Sequence, residues 1–437
     1  MKSKLHHSRL IILFLGIFTF SFSLDAQDRK PNIILIMADD LGIETISSYG
    51  GTSYQTPFID AMAADGAKFE NCFAQPLCTP SRVQLMTGQY NVRNYTVFGQ
   101  LDRSQTTFAN LLKDAGYKTA IAGKWQLGKD KDSPQHFGFD ESLLWQHMLG
   151  ATDENGHDTR YSNPVLEHNG VAKHYDGGQF STNVTSDFLI DFMEKNQDSP
   201  FFLYYPMIIT HCPFVPTPDS KDWDPSSPGS PTYKGDAQYF GDMVSYMDKT
   251  VGKIIAKVEE LGLSEETIII FTGDNGTDAP VVSQYRGREF PGGKSKTTDN
   301  GIHVPLVVQW KGQISPGIES DDLIDFSDFL PTLMDVAGVK TPKTLPVDGV
   351  SFLPQMMGKK GNPRDWTYFW FTRNGDMESL KEFVRNKEFK LYASGEFYNI
   401  QEDWFEEKPL VFPLQDKNAK RAHKELSKAL KQFEGIR

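Results

Sequence analysis

Residues 32–40 read NIILIMADD: an unbroken apolar run followed by two aspartates. The run reads as a buried strand that delivers Asp39 and Asp40 at its carboxyl end. The pattern recurs. KTAIAGKWQ (118–126) delivers Lys124, FFLYYPMIITH (201–211) delivers His211, and TIIIFTGDNG (267–276) delivers Asp274 and Asn275. IHVPLVVQW (302–310) is a further apolar run. Helical stretches lie between these runs. The clearest is 236–262, with Met243, Met247, Ile254, Val258 and Leu261 on one stripe and Gly262 as a stop. A shorter one, FSDFLPTLMDVAG (326–338), closes at Gly338. Strands alternating with helices predict an α/β fold, a large, mainly parallel (mixed) sheet sandwiched by helices. Ligands of such sheets sit beyond the carboxyl ends of the strands, so the polar residues at those ends belong to one predicted site.

The texture changes after about residue 340. PKTLPVDGVSFLPQMMGKKGNP (342–363) reads as a long loop. Residues 383–400 read as two antiparallel strands around SGE, and 418–436 as an amphipathic helix. The expected organisation is a catalytic domain over 27–340 and a C-terminal α+β subdomain with a short antiparallel sheet over 341–437. The first 26 residues read as an export signal: basic MKSKLHHSRL, a 14-residue apolar run, then Ala26 for cleavage. That run is short for a membrane span, so the expectation is a periplasmic or secreted protein without stable membrane insertion.

The formal net charge of −12 argues against a nucleic-acid partner. An acidic chain that handles an anionic substrate needs a local cluster of cations or a metal. The three cysteines, Cys72, Cys78 and Cys212, leave at least one thiol unpaired in an exported protein. Whether Cys72 and Cys212 pair is open at this level.

Asp39-Asp40 and Asp274-Asn275 are oxygen pairs suited to Ca²⁺, with Mg²⁺ as an alternative. Each pair alone is an ordinary turn; both at one sheet edge suggest an oxygen cage. Cys78 and Arg82 stand one helical turn apart in CTPSRVQLMTG (78–88), with Pro80 in the first turn. A free cysteine is by itself most often a small buried apolar residue.

CTPSRVQLMTG resembles the signature of the type I, formylglycine-dependent sulfatases of the alkaline-phosphatase-like superfamily. That signature is Cys (or Ser)-x-Pro-x-Arg followed by Thr-Gly. The resemblance extends through PNIILIMADDLG, AGKWQLG (122–128), HCPFVPTP (211–218), FTGDNG (271–276), GGKSKTTDNGIHVP (292–305) and EFYNIQED (396–403). It implies that a maturing enzyme oxidises Cys78 to formylglycine. The aldehyde hydrate then offers one hydroxyl to attack sulfur and a second to expel sulfate. It also implies a metal held by Asp39, Asp40, Cys78, Asp274 and Asn275. Arg82, Lys124 and Lys294 would stabilise the sulfate charge, and His211 would meet the sulfate or the leaving oxygen. Lys296, close to Lys294, is separated from that role only by the resemblance.

One position departs from the family: Gln126 stands where a histidine is usual. Three readings follow. Another group, such as His136 or His147, could serve as base. Gln126 could orient the diol, which is the favoured reading. Or the site is slow or degenerate. His303, Arg286 and Arg288 differ around the substrate side, and Trp145, His147, Arg160 and Trp370 are further candidates for a sugar pocket. The expected activity is hydrolysis of sulfate esters, with a sulfated carbohydrate as substrate. The alternatives are a phosphodiester or phosphonate ester hydrolase of the same superfamily, and a sulfated-glycan binding protein whose chemistry has lapsed.

Overall fold

The computed structural model describes residues 30–437, so the expected export signal lies outside the described residues. The strands in chain order are β1 (Asn32–Ala38), β2 (Ala67–Phe73), β3 (Lys118–Lys124), β4 (Glu141–Trp145), β5 (Val165–His168), β6 (Val171–His174), β7 (Phe201–Pro206), β8 (Thr267–Gly273), β9 (Val282–Tyr285), β10 (Arg288–Pro291), β11 (His303–Val304), β12 (Leu306–Gln309), β13 (Ile318–Asp325), β14 (Thr367–Phe371), β15 (Lys381–Arg385), β16 (Phe389–Tyr392) and β17 (Phe397–Asn399). Eleven of them form one sheet in the order β11-β2-β12-β8-β1-β7-β3-β4-β5-β6, with β13 also on β2.

The central strand β1 shows why its sequence is apolar without alternation. Ile33, Leu35 and Met37 face one core, while Ile34, Ile36 and Ala38 face the other. Both faces are covered, so both sets are apolar, and each large side chain contributes about 1.5–3 kcal/mol gross on burial. One core is closed by helices Cys78–Thr87, Phe108–Asp114 and Phe329–Val336, through Val83, Leu112 and Leu333 among others. The other is closed by Pro57–Ala64, Ser181–Asn196 and Phe240–Glu260, the last through Met243, Met247, Ile254 and Val258. Leu261 of the predicted stripe caps that helix, and Gly262 ends it at φ 70°. Cys72 and Cys212 belong to opposite cores, and all three cysteines are free.

Strand directions place the site. β8, β1, β7, β3 and β4 run parallel, so their carboxyl ends share one edge. The apolar run at 302–310 is split by Pro305 into β11 and β12, and β12 runs antiparallel to both β8 and β2. Two reversals bring β2 back into the direction of the central block. Its carboxyl end, and the helix that follows it from Cys78, therefore open onto the same edge.

Residues 383–400 form parts of three strands, not two. Asn386 accepts from the N–H groups of Glu388 and Phe389 and turns the chain between β15 and β16, a turn absent from the sequence reading. β14 adds a fourth strand, giving β14-β15-β16-β17. Helix Lys417–Leu430 covers this sheet, with Ala422 and Leu426 in the same core as Val384 and Leu391. The region read as a long loop holds one short helix, Leu353–Met356.

Gly123 precedes Lys124 at φ 118°, and a Cβ there would lie 2.0 Å from the Pro206 carbonyl oxygen. Gly123→Ala is expected to destabilise the fold by at least ~2 kcal/mol, because both the backbone conformation and the adjacent backbone oppose a side chain. Urea unfolding of the variant beside the parent checks this; an unchanged midpoint refutes it.

Candidate active site

Asp39 follows β1 with its carboxylate fully buried. Lys124 Nζ lies 2.7 Å from Asp39 Oδ2, and Arg82 Nη2 lies 3.8 Å from the same oxygen. The Lys124 contact is an ion pair without hydrogen-bond alignment, and neither Asp39 oxygen has a hydrogen-bond partner. Asp40 adopts φ 60°, a left-handed conformation that aspartate tolerates better than most residues. This turn lets its N–H donate to Asp274 Oδ1 (3.0 Å) while Lys294 Nζ donates to its Oδ2 (2.6 Å) and Asn275 Nδ2 to its Oδ1 (2.8 Å). Asp274 Oδ2 accepts from Arg82 Nη2 at 3.0 Å. Three buried carboxylates thus meet three cations.

Burial disfavours the ionised form of all three acids. At Asp39, Lys124, Arg82 and Lys294 overcome it and hold the carboxyl below the usual range. At Asp40 burial prevails and the carboxyl is raised. Asp274 is pushed up to about 7, by burial and then by Asp39.

Cys78 opens helix Cys78–Thr87, every residue of which is buried. The helix is largely polar, and its hydroxyls and amides find partners. Ser81 Oγ donates to the Leu77 carbonyl (2.9 Å), Gln84 Nε2 to Asp325 Oδ1 (2.6 Å), and Thr87 Oγ1 to the Val83 carbonyl (2.7 Å). Arg82 Nη1 donates to the Lys124 carbonyl at 3.0 Å. Cys78 Sγ donates to Gln126 Oε1 at 2.9 Å, and Thr79 Oγ1 donates to the same oxygen at 3.3 Å. Gln126 sits at φ 57°, and its Nε2 reaches Gln146 Oε1 at 3.4 Å. Burial pushes the Cys78 thiol up by more than Lys124 and Lys294 bring it down, so sulfur here is a neutral S–H.

His211 borders the same cluster, with its Nε2 3.7 Å from Asp40 Oδ2. Lys294 Nζ lies 3.0 Å from its Nε2, and Arg160 Nη1 lies 2.5 Å from its Nδ1. Burial first, then Lys294, Lys124 and Arg160, hold the imidazole far below its usual range, so it is neutral. Arg160 is itself clamped by Asp158 through Nε (2.9 Å) and Nη2 (2.6 Å), and stacks over Trp145. Cys78, Gln126, His211 and Lys294 open into a cavity of about 390 Å³, which is also lined by Phe98, Trp145, Tyr233, Asp278 and Arg373.

The donors fit a hard cation. Ligand atoms of Asp39, Cys78 and Asp274 lie within 4.8 Å of one another, as do those of Asp39, Asp40 and His211. Asp39 Oδ1 and Asn275 Oδ1 are buried without a hydrogen-bond partner, which is costly unless something positive meets them. A divalent ion added to three carboxylates and three cations leaves the centre positive, as an anionic ester requires.

Each residue read as catalytic or metal-ligating in the sequence lies in this cluster. Lys294, not Lys296, points inward; Lys296 is exposed. Two candidate bases do not face Cys78: His136 Nε2 pairs with the Arg103 carbonyl, and His147 pairs with the Asp130 carbonyl and faces Glu167. Arg286 and Arg288 also lie outside the cavity, Arg286 on Glu70 and Arg288 over Trp404. His303 stacks on Phe73, and Trp370 lies under Arg437. Trp145 and Arg160 do line the cavity. Phe98, Tyr233, Asp278 and Arg373 were not found in the sequence; all four come from loops, where no periodicity marks an inward-facing residue.

The fold and site meet known proteins at this point. The family Sulfatase matches residues 31–339, and N-sulphoglucosamine sulphohydrolase, C-terminal, matches residues 294–435. The N-acetylgalactosamine-6-sulfatase of Rattus norvegicus is 33% identical over 383 residues, covering 79% of this chain and 69% of its own. Arylsulfatase A of Bos taurus is 34% identical over 417 residues, covering 84% and 75%. A solved structure described as in complex with its substrate, D-glucosamine-2-N,6-O-disulfate, shares the fold with a TM-score of 0.71 at 23% identity, covering 93% of this chain and 98% of that one. The chain belongs to the sulfatase family of the alkaline-phosphatase-like superfamily, and it is a sulfuric ester hydrolase.

Binding of a divalent cation, tested with Ca²⁺, is expected to weaken as pH falls. Asp274, raised to about 7 in the ion-free site, carries a proton below that pH, and binding must displace it. Affinity should drop up to about tenfold per pH unit below 7 for one linked proton. Calorimetric titration at pH 5.5 and 7.5, in buffers of different ionisation heat, reads both the affinity and the proton release. Equal affinity at the two pH values would exclude this linkage.

Proposed function

We propose that this is an exported sulfatase that hydrolyses sulfate esters of a sulfated carbohydrate, with formylglycine made from Cys78 by a maturing enzyme and a bound Ca²⁺, or alternatively Mg²⁺. The observation that carries the reading is the placement of Cys78. Its sulfur is buried among Asp39, Asp274, Lys124 and Lys294, hydrogen-bonded to Gln126, and neutral. The sulfur thus stands at the carbon from which an attacking oxygen would reach both the carboxylate cluster and the cavity. A hydrated aldehyde supplies two hydroxyls at one carbon, one for attack and one for release of sulfate, while a divalent cation supplies positive charge to the attacking oxygen and the sulfate.

The chain's own residues supply the rest. Asp39, Asp40, Asp274 and Asn275 would hold the cation, with residue 78 contributing an oxygen after modification. Gln126 Oε1 already accepts a hydrogen bond from residue 78, so it would orient one hydroxyl there. Gln126 cannot take up a proton near neutral pH, so it acts by position and not as a base. Lys124 and Lys294 would meet the sulfate oxygens, and Arg82 stiffens the floor by joining Asp274 to the Lys124 carbonyl. Neutral His211 faces Lys294 Nζ at 3.0 Å through Nε2, and this pair would meet the leaving oxygen and supply its proton.

A carbohydrate substrate is supported by the named N-acetylgalactosamine-6-sulfatases and by the neighbour solved with a sulfated glucosamine. The open cavity beside Cys78, with Trp145, Phe98 and Tyr233 in its walls, suits a sugar ring.

The decisive measurement is the fragmentation mass spectrum of tryptic peptide Phe69–Arg82, made in a host that matures sulfatases. An aldehyde or its hydrate at residue 78, with Cys72 unchanged, is expected. An intact thiol at 78, where another sulfatase is matured in the same cells, refutes the formylglycine reading. With a working substrate, Gln126→Ala should lower kcat about 10- to 100-fold, on the scale of one lost positioning contact, while Gln126→His is tolerated. A Gln126→Ala protein as fast as the parent would remove this side chain from the mechanism.

A further inference from the structure

The charged side chains lining the cavity are matched by opposite charges, with one exception. Lys294 faces Asp40, Arg160 is clamped by Asp158, and Asp278 is paired with Lys234. Arg373 has no carboxylate partner among the described residues. Its guanidinium lies 5.0 Å from the Phe98 ring centroid, and the side chain is exposed at the cavity wall.

The backbone at Arg373 is nonetheless firmly placed. It stands two residues past β14, and its carbonyl accepts from Tyr95 Oη at 2.7 Å. Gly375, at φ 77°, brings the same turn against residue 96; a Cβ on it would lie 2.0 Å from the Thr96 carbonyl oxygen. The segment 95–99 is tied in turn to the helix of Cys78, because the Gly99 N–H donates to Thr79 Oγ1 (3.1 Å) and Thr79 Oγ1 donates to Gln126 Oε1. A continuous series of contacts therefore fixes the backbone that carries this unpaired cation relative to residue 78, while Phe98 is the contact of the guanidinium itself.

We infer that Arg373 is a specificity residue that reads a second anionic group on the substrate, a carboxylate or a further sulfate near the ester that is cleaved. This rests on the reading that a sulfated sugar enters the cavity. The guanidinium fork matches the oxygens of either group, and Phe98 holds its plane from below. The lysines near Cys78 are engaged by buried aspartates, whereas Arg373 keeps its charge available at the wall, where it also attracts anions.

Three probes separate the sources of the second charge: N-acetylgalactosamine 6-sulfate, its 4,6-disulfate, and the 6-sulfate linked to a hexuronate. Sulfate release by matured parent, Arg373→Ala and Arg373→Lys is followed for each. Binding of the same sugars is titrated on Cys78→Ala protein with and without Arg373→Ala. The expected result is a roughly 10-fold loss in kcat/KM, mainly in KM, for at least one doubly charged probe with Arg373→Ala, the scale of a partly exposed charge-assisted contact. The singly charged probe is unaffected, and Arg373→Lys recovers part of the loss. Which doubly charged probe responds identifies carboxylate or sulfate. Equal losses on all three probes, or no loss on either doubly charged one, overturn the assignment. If no probe releases sulfate, the titration still decides: affinity that depends jointly on the second charge and Arg373 supports the assignment, and absent or indifferent binding overturns it. Failure of the sulfatase reading is thereby distinct from failure of this one.

Discussion

Asp39, Asp40 and Asp274 are carboxylates side by side in a place water does not reach, and much of the molecule is arranged around that fact. Like charges at such a spot are tolerable only if cations meet them, and Arg82, Lys124 and Lys294 arrive from three separate segments to do so. Strands β1, β3 and β8 must end at one level for this to happen. Helix Cys78–Thr87 must sink completely into the core to carry Arg82 to Asp274. Removing one member of such a group leaves an uncompensated buried charge, which typically costs 3–5 kcal/mol. Structure and function are therefore hard to separate at these positions: the charges that hold the sheet edge together are also the donors that fit a hard cation.

The second organising feature is the state of Cys78. Cysteine nucleophiles work as thiolates, stabilised by net positive surroundings. Cys78 has cations and carboxylates around it in similar measure, and burial decides for the neutral form. The proposed modification would replace this sulfur by oxygen at the same carbon. Gln126 agrees with this. Its amide oxygen offers an acceptor without competing for protons, and its left-handed backbone turn aims the side chain at residue 78.

What the sequence made legible follows a physical line. Strands covered on both faces are apolar through their middles, so β1, β3, β7 and β8 stand out, and with them the polar residues at or beyond their carboxyl ends, Asp39, Lys124, His211 and Asp274. The antiparallel course of β12 was not visible, because an apolar run carries no mark of direction. β15 and β16 were merged, because the turn between them rests on the single side chain of Asn386. The cavity wall was the least legible part. Arg160 is recruited by Asp158 and His211 in space, and Phe98 and Arg373 lie in loops whose inward or outward sense depends on packing hundreds of residues away in the chain. Arg286 and Arg288 illustrate the converse: close to Lys294 in sequence, they turn to Glu70 and Trp404 instead.

The complete burial of helix Cys78–Thr87 has a temporal meaning. Cys78 is 2% exposed, its thiol is engaged by Gln126, and the residues on either side of it are walled in as well. An enzyme that acts on a peptide segment needs that segment extended in its own cleft, and the finished fold cannot release this one without unravelling a core helix. If an enzyme modifies Cys78 as proposed, it would have to act while the chain is still open. Folding would then act as a seal on that proposed step, and the active fraction of a preparation would record a race between modification and folding.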